Sequence, residues 1–103
     1  MTLTPMDAAG RALAVAAASA ARGRRAVVKA DLKAGRLRLG DVFELAGTDP
    51  IVARMGVPGL LAALPRIGPV RAGELMAEGG IAANRRVGGL GVGQRQELLR
   101  LVG

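Results

Sequence analysis

The chain has 103 residues, no Cys, His, Tyr or Trp, a single Phe, and a net charge of +7. That length gives room for one domain whose core needs no staples. The missing residue types exclude disulfides, zinc ribbons, thiol nucleophiles, histidine bases and the usual aromatic platforms for single-stranded nucleic acid. Thirteen of the fifteen basic residues are Arg, which suits bidentate contacts to phosphates and guanine edges and points to a polyanionic partner. The charge is uneven, +6 over residues 1–40, −2 over 41–64 and +3 over 65–103. Arg11 and Arg22 bracket the longest apolar run, so no membrane span is expected. The Ala-rich start lacks the basic opening of a signal peptide, and the absence of Cys suits a cytoplasmic location.

Thr4-Pro5-Met6-Asp7 reads as a helix opening, with Thr4 as cap, Pro5 at the first helical position and Asp7 three residues after the cap. Seven alanines among residues 12–21 favour helix by propensity and predict one long helix from about Pro5 to about Ala34, ended by Gly35. Gly10 and Gly23 each weaken it by about 1 kcal/mol. At about 100° per residue, Arg11, Arg22, Arg25, Lys29 and Lys33 form one narrow stripe, long enough to track a nucleic-acid backbone. A solvated face of an alanine helix is the ordinary alternative.

Leu39, Val42, Phe43 and Ala46 predict a short amphipathic helix stopped by Gly47, with Phe43 in the core. Asp49-Pro50 opens a further turn, with Asp49 as cap and Ile51 and Val52 turned inward. Val57, Leu60, Leu61 and Leu64 predict the next helix, ended by Pro65, and with Met55 they form the expected centre of the core. Pro69 restarts a helix in which Val70, Ala72, Leu75 and Met76 face inward until Gly79-Gly80. Ile81 to Asn84 make a turn or short helix, and Gln94 to Val102 form a last helix with Leu98, Leu99 and Val102 on its buried side. No segment alternates with period two. The expected fold is all-α, with a basic Ala-rich helix over 1–36 and a compact bundle of short helices over 37–103.

Two constellations carry chemistry. In the hairpin Pro65-Arg66-Ile67-Gly68, the following helix N-terminus offers unpaired N–H groups and partial positive charge, so the Gly68, Val70 and Arg71 amides can hold a phosphate between Arg66 and Arg71. Ile67 is the one hairpin residue able to act as an apolar wedge. A plain corner of a helical bundle is the bland reading of the same turn. Arg85-Arg86 stand beside Gly88-Gly89-Leu90-Gly91, where the pair can reach a groove while Gly89 and Gly91 let the backbone approach closely. The glycine run is no dinucleotide or P-loop fingerprint, because no strand precedes it and no Gly-Lys-Ser/Thr follows. For catalysis, Glu74 and Glu78 are neighbours on one helix face but lack a cleft, and no EF-hand spacing exists. No catalytic residue, metal, cofactor or small-molecule substrate is expected.

The pattern Met55-x-Val57-x-x-Leu60-Leu61-x-x-Leu64-Pro65-x-x-Gly68-x-Val70-Arg71-Ala72-x-x-x-Met76, followed by Arg85-Arg86-x-x-Gly89-Leu90-Gly91-x-x-Gln94, resembles the actinobacterial integration host factor family. The likeness runs from about residue 5 to the C-terminus. The resemblance implies a helix-two-turns-helix element related to that of the thirteenth protein of the small ribosomal subunit. It also implies duplex DNA binding with little sequence preference, chromosome compaction in the nucleoid, and support for site-specific recombination by a phage integrase complex. On this resemblance Arg66 to Arg71 become the phosphate-binding element and Arg85 with Arg86 the groove-reaching pair. Gly88, Pro69 and Gly56 stand where relatives tend to carry basic residues, so weaker binding than in a typical member is expected, each lost contact flattening the salt dependence by about one unit of slope. Two other readings remain open at this point. One is a protein bound to structured RNA or the ribosome, read through its backbone; the other is an interaction or membrane-surface module built on the N-terminal helix, whose alanines make poor membrane anchors.

Overall fold

Alanine gives up no side-chain freedom on entering a helix, and the Ala-rich segment builds the longest element of the computed structural model, which describes residues 8–102. This helix, α1, spans Ala8–Lys33, about 39 Å at the usual rise. Its predicted opening at Thr4 to Asp7 lies outside the described residues. Gly35 ends it with a left-handed φ of +79°, and the Arg36 N–H returns to the Asp31 carbonyl at 2.8 Å, a glycine-terminated cap of the Schellman type. Only the C-terminal half of α1 is covered. Val28 and Leu32 are buried, whereas residues 11–20 are exposed throughout, so the helix overhangs and draws the molecule out to 54 × 28 × 25 Å.

The remaining helices are short. The second, α2, spans Leu39–Ala46 and buries Leu39, Val42 and Phe43; α3 is Pro50–Ala53, capped by Asp49, whose Oδ1 accepts from the Ile51 and Val52 amides at 2.9 and 3.4 Å. The fourth, α4, is Val57–Ala62, ending before the predicted Pro65. A proline disfavours helical backbone in the residue before it, and the final turn tightens instead, with Ala63 N–H to Leu60 O and Leu64 N–H to Leu61 O both at 3.1 Å.

The fifth, α5, is Pro69–Glu78 with Ala72, Leu75 and Met76 buried. Val70 does not turn inward as expected and is 80% exposed, because it lies about 200° round the helix from Ala72. A single 3-10 turn, Val87–Gly89, follows with Val87 buried, within the glycine-rich stretch after Arg85-Arg86. The last helix, α6, is Val92–Val102. It buries Leu98 and half-buries Leu101 and Val102, but Leu99 is 39% exposed, one step of about 100° away from that seam.

Among the described residues the regular structure is helical, with one isolated antiparallel bridge between Gly56 and Arg86. One core joins Val28 and Leu32 of α1 to Val42, Val52, Met55, Leu60, Leu61, Leu75, Val87 and Leu98, so the end of the long helix is cemented into the bundle by side-chain burial.

Candidate nucleic-acid interface

The hairpin between α4 and α5 is fixed from below. Leu64 is buried and Ile67 packs part-buried against the core, with the Ile67 N–H donating to the Leu64 carbonyl at 3.2 Å. Between them Arg66 holds a φ of +66°, the one positive φ outside glycine among the described residues. Gly68 then takes an extended cap conformation, φ −101° and ψ −176°, and Pro69 fills the first helical position. The Gly68 carbonyl accepts from the Ala72 amide at 2.9 Å, while the amides of Val70 and Arg71 have no backbone acceptor among the described residues. A Cβ on Gly68 would meet nothing within 4 Å, so the approach to those donors is open. Free first-turn amides carry the positive end of the helix dipole and suit an anion. The Arg71 guanidinium is drawn along α5 to Glu78 at 3.3 Å and Glu74 at 3.8 Å, so these two carboxylates act on Arg71.

Arg85 and Arg86 are held at the other end of α4. The Val57 N–H donates to the Arg85 carbonyl at 3.0 Å and the Val87 N–H to the Met55 carbonyl at 2.9 Å, while buried Val87 and Leu90 anchor the segment that follows. Arg85 Nη1 also donates to the Gly89 carbonyl at 3.4 Å, and Arg86 is exposed with no side-chain partner among the described residues. Gly91 starts the last helix, its N–H bound by Gln94 Oε1 at 3.0 Å, and Gln94 Nε2 reaches the Gly80 carbonyl at 3.4 Å. The first bond is the half of a capping box that a glycine cap allows, and the second ties the glycine-rich turn to the end of α5. Gly88 is set against Ala53; a Cβ there would stand 3.1 Å from the Ala53 Cβ and carbonyl oxygen.

On α1, Arg22, Arg25, Lys29 and Lys33 border the buried row of Val28 and Leu32. Lys29 Nζ lies 3.4 Å from the position a Cβ on Gly59 would take, over the first turn of α4. Arg24, outside the stripe, was not singled out from the sequence. Its Nε binds Asp49 Oδ2 at 3.0 Å, joining α1 to the cap of α3. The Arg24 hydrogen bond, with the Val52 and Ile51 amides and the Arg24 charge, holds the Asp49 carboxyl below its ordinary value of 3.8 against the opposing effect of partial burial. The signal was present: Arg24 precedes Val28 by four residues and so shares its side of the helix. Arg95 likewise escaped notice; its guanidinium lies 5.8 Å from the centre of the Phe43 ring, a cation–π contact at the core margin. Among the described residues no cluster of three or more Asp, Glu, Cys or His side chains could hold a metal ion, and no helix is long and apolar enough to cross a membrane.

With the hairpin and its two flanking helices in place, the class is defined: residues 32–101 match the S13-like H2TH domain, a helical domain of the helix-two-turns-helix type. Three curated relatives, all named integration host factor, are similar over nearly the whole chain. The protein of Mycolicibacterium smegmatis is 44% identical over 96% of this chain and 94% of its own length. That of Mycobacterium tuberculosis is 43% identical over 100% and 98%, and that of Streptomyces coelicolor 40% identical over 100% and 96%. The chain belongs to the actinobacterial integration host factor family. The solved structure of sIHF bound to an 8bp palindromic DNA is similar with a TM-score of 0.81 and 41% identity, covering 84% of this chain and 97% of that one.

Proposed function

We propose that this protein is a non-enzymatic architectural protein of the cytoplasm and nucleoid. It binds double-stranded DNA with little sequence preference through backbone phosphates, compacts or bends it, and assists site-specific recombination by an integrase complex. The observation that carries this reading is the entry to α5, where unpaired amides at Val70 and Arg71 open to solvent beside Arg66. The kinship with sIHF, solved bound to DNA at 41% identity, supports duplex DNA as the partner.

In this reading Gly68, Val70 and Arg71 hold a phosphate through their backbone, with Arg66 adding a charge-assisted contact and Ile67 anchoring the hairpin. Arg85 and Arg86 reach into a groove where Gly89 and Gly91 keep the backbone low, and Arg22, Arg25, Lys29 and Lys33 follow a sugar-phosphate strand. The test is the anisotropy of a labelled duplex titrated at several salt concentrations, with single-stranded DNA and a structured RNA as competitors. Binding that weakens steeply with salt and resists both competitors is the expected result. Efficient competition by the RNA would transfer the site to a ribosomal or structured-RNA role, and absence of binding at low salt would overturn nucleic-acid binding altogether.

A further inference from the structure

We infer that the Val70 side chain is an apolar DNA contact, packing on the deoxyribose beside the phosphate held at the start of α5. The inference rests on the proposed DNA-binding reading and adds to it a residue whose contribution is independent of charge. Sequence reasoning placed the apolar contact on Ile67, but Ile67 is packed against the core beneath the hairpin. Val70 instead stands 80% exposed, in the first turn of α5.

Three features leave that side chain uncovered. Arg71, its neighbour, is drawn toward Glu78 two turns further along α5. Pro69, on the other side, is exposed and has no N–H, which makes the tip of the helix an apolar pair, with Arg66 before it and the Arg71–Glu74–Glu78 group after it. The Gly68 side is open space. Geometry then couples the two contacts. A phosphate oxygen that accepts from the Val70 N–H sits about 2.9 Å from a nitrogen bonded directly to the Val70 Cα, so the sugar attached to that phosphate falls within reach of the valine methyls. Sugar contacts of this kind position a duplex without reading its sequence, in keeping with a site that lacks a base-reading side chain at the tip.

The test compares Val70→Ala and the isosteric Val70→Thr with the wild-type chain in duplex titrations across a range of salt, alongside Arg86→Gln as a charge control. Both Val70 variants are expected to bind about five- to tenfold more weakly, the scale of removing two methyl groups from a largely buried contact or placing a hydroxyl there. Their salt slopes should match the wild type, giving a parallel displacement, whereas Arg86→Gln should flatten the slope by about one unit. Thermal melting of the Val70 variants should shift by no more than a helix-propensity difference accounts for, since the side chain is 80% exposed. Wild-type affinity in both variants, or a change of slope in place of a parallel shift, overturns the inference while leaving DNA binding intact. A wild-type chain that fails to bind duplex at low salt overturns both.

Discussion

Arg66 predicts a trade between stability and binding that one residue makes visible. Its φ of +66° places an L-amino acid in the left-handed region, at a cost of about 1–2 kcal/mol. Glycine adopts that conformation freely but loses about 0.4–1 kcal/mol through the greater freedom of its unfolded chain. Arg66 is exposed and its side chain makes no hydrogen bond or ion pair among the described residues, so its removal forfeits no polar contact. Arg66→Gly should therefore stabilise the fold by about 0.5–1 kcal/mol and raise Tm by about 2–8 °C. Arg66→Ala keeps the strain and should melt no higher than the wild type. Both substitutions remove a cation beside the candidate phosphate site and should flatten the salt dependence of duplex binding by about one unit of slope. Thermal melting by circular dichroism, paired with salt-dependent anisotropy, reads both quantities. If Arg66→Gly melts at or below Arg66→Ala, the strain argument is wrong. Strain retained at a surface residue whose side chain the fold does not use is the pattern expected where function has fixed the residue.

Two glycines should respond in opposite directions to a methyl group. Gly88→Ala presses on Ala53 at 3.1 Å and should lower stability by about 1–3 kcal/mol; Gly23→Ala, with nothing within 4 Å, should strengthen α1 by about 1 kcal/mol, and thermal melts decide both. The Asp49 carboxyl is held below 3.8 chiefly by its hydrogen bond to Arg24, so its contribution to stability is complete above that value and is lost as pH falls through the depressed folded value. Arg24→Ala should move the Asp49 titration upward, which the carboxyl carbon shift in NMR reports; an unmoved titration refutes the assignment. Lys29→Ala and Arg86→Ala should couple in duplex binding by about 0.5 kcal/mol or more in a double-mutant cycle, whereas Arg11→Ala and Arg86→Ala should add. Additivity of the first pair would separate the α1 stripe from the arginine pair.

Helix positions and the core were readable because apolar residues recur at helical spacing and because Gly35, Gly47, Asp49-Pro50 and Pro69 punctuate the chain with little ambiguity. Val70 and Leu99 were misplaced for different reasons. Leu99 adjoins the true seam, and hydrophobicity alone does not say which side of a helix edge faces the core; Val70 is apolar but lies on the side of α5 away from Ala72, Leu75 and Met76. The 3-10 turn at Val87 was hidden because glycines at 88 and 89 carry no helical propensity; what fixes it is the Val57 amide on Arg85 and the buried Val87 side chain, both long-range. Of the candidate interface, the hairpin was legible from local turn chemistry. The strained backbone at Arg66, the Arg24 to Asp49 pair and the withdrawal of Arg71 toward Glu78 depend on tertiary placement or rotamer choice that spacing does not encode.

The arrangement of basic groups follows from the shortness of α4. Its six residues span about 9 Å, with the hairpin at one end and the Arg85-Arg86 segment paired to Gly56 at the other. Gly56 and Gly59 fall on one side of this helix by their spacing of three, the first facing Arg86 across the bridge and the second lying under Lys29. Neither carries a side chain, so the face between the end of the α1 stripe and the arginine pair is bare backbone flanked by cations. Lys29 of the α1 stripe thus lies over α4, to whose start the arginine pair is bridged, while Asp49 of the acidic middle pairs with Arg24. What remains apart is the far end of α1, where Arg11 stands 18 residues before Lys29, about 27 Å along the helix axis. At that separation Arg11 and Lys29 do not share one phosphate, so a contact made by Arg11 is to a more distant stretch of a backbone-tracking partner or to a second one.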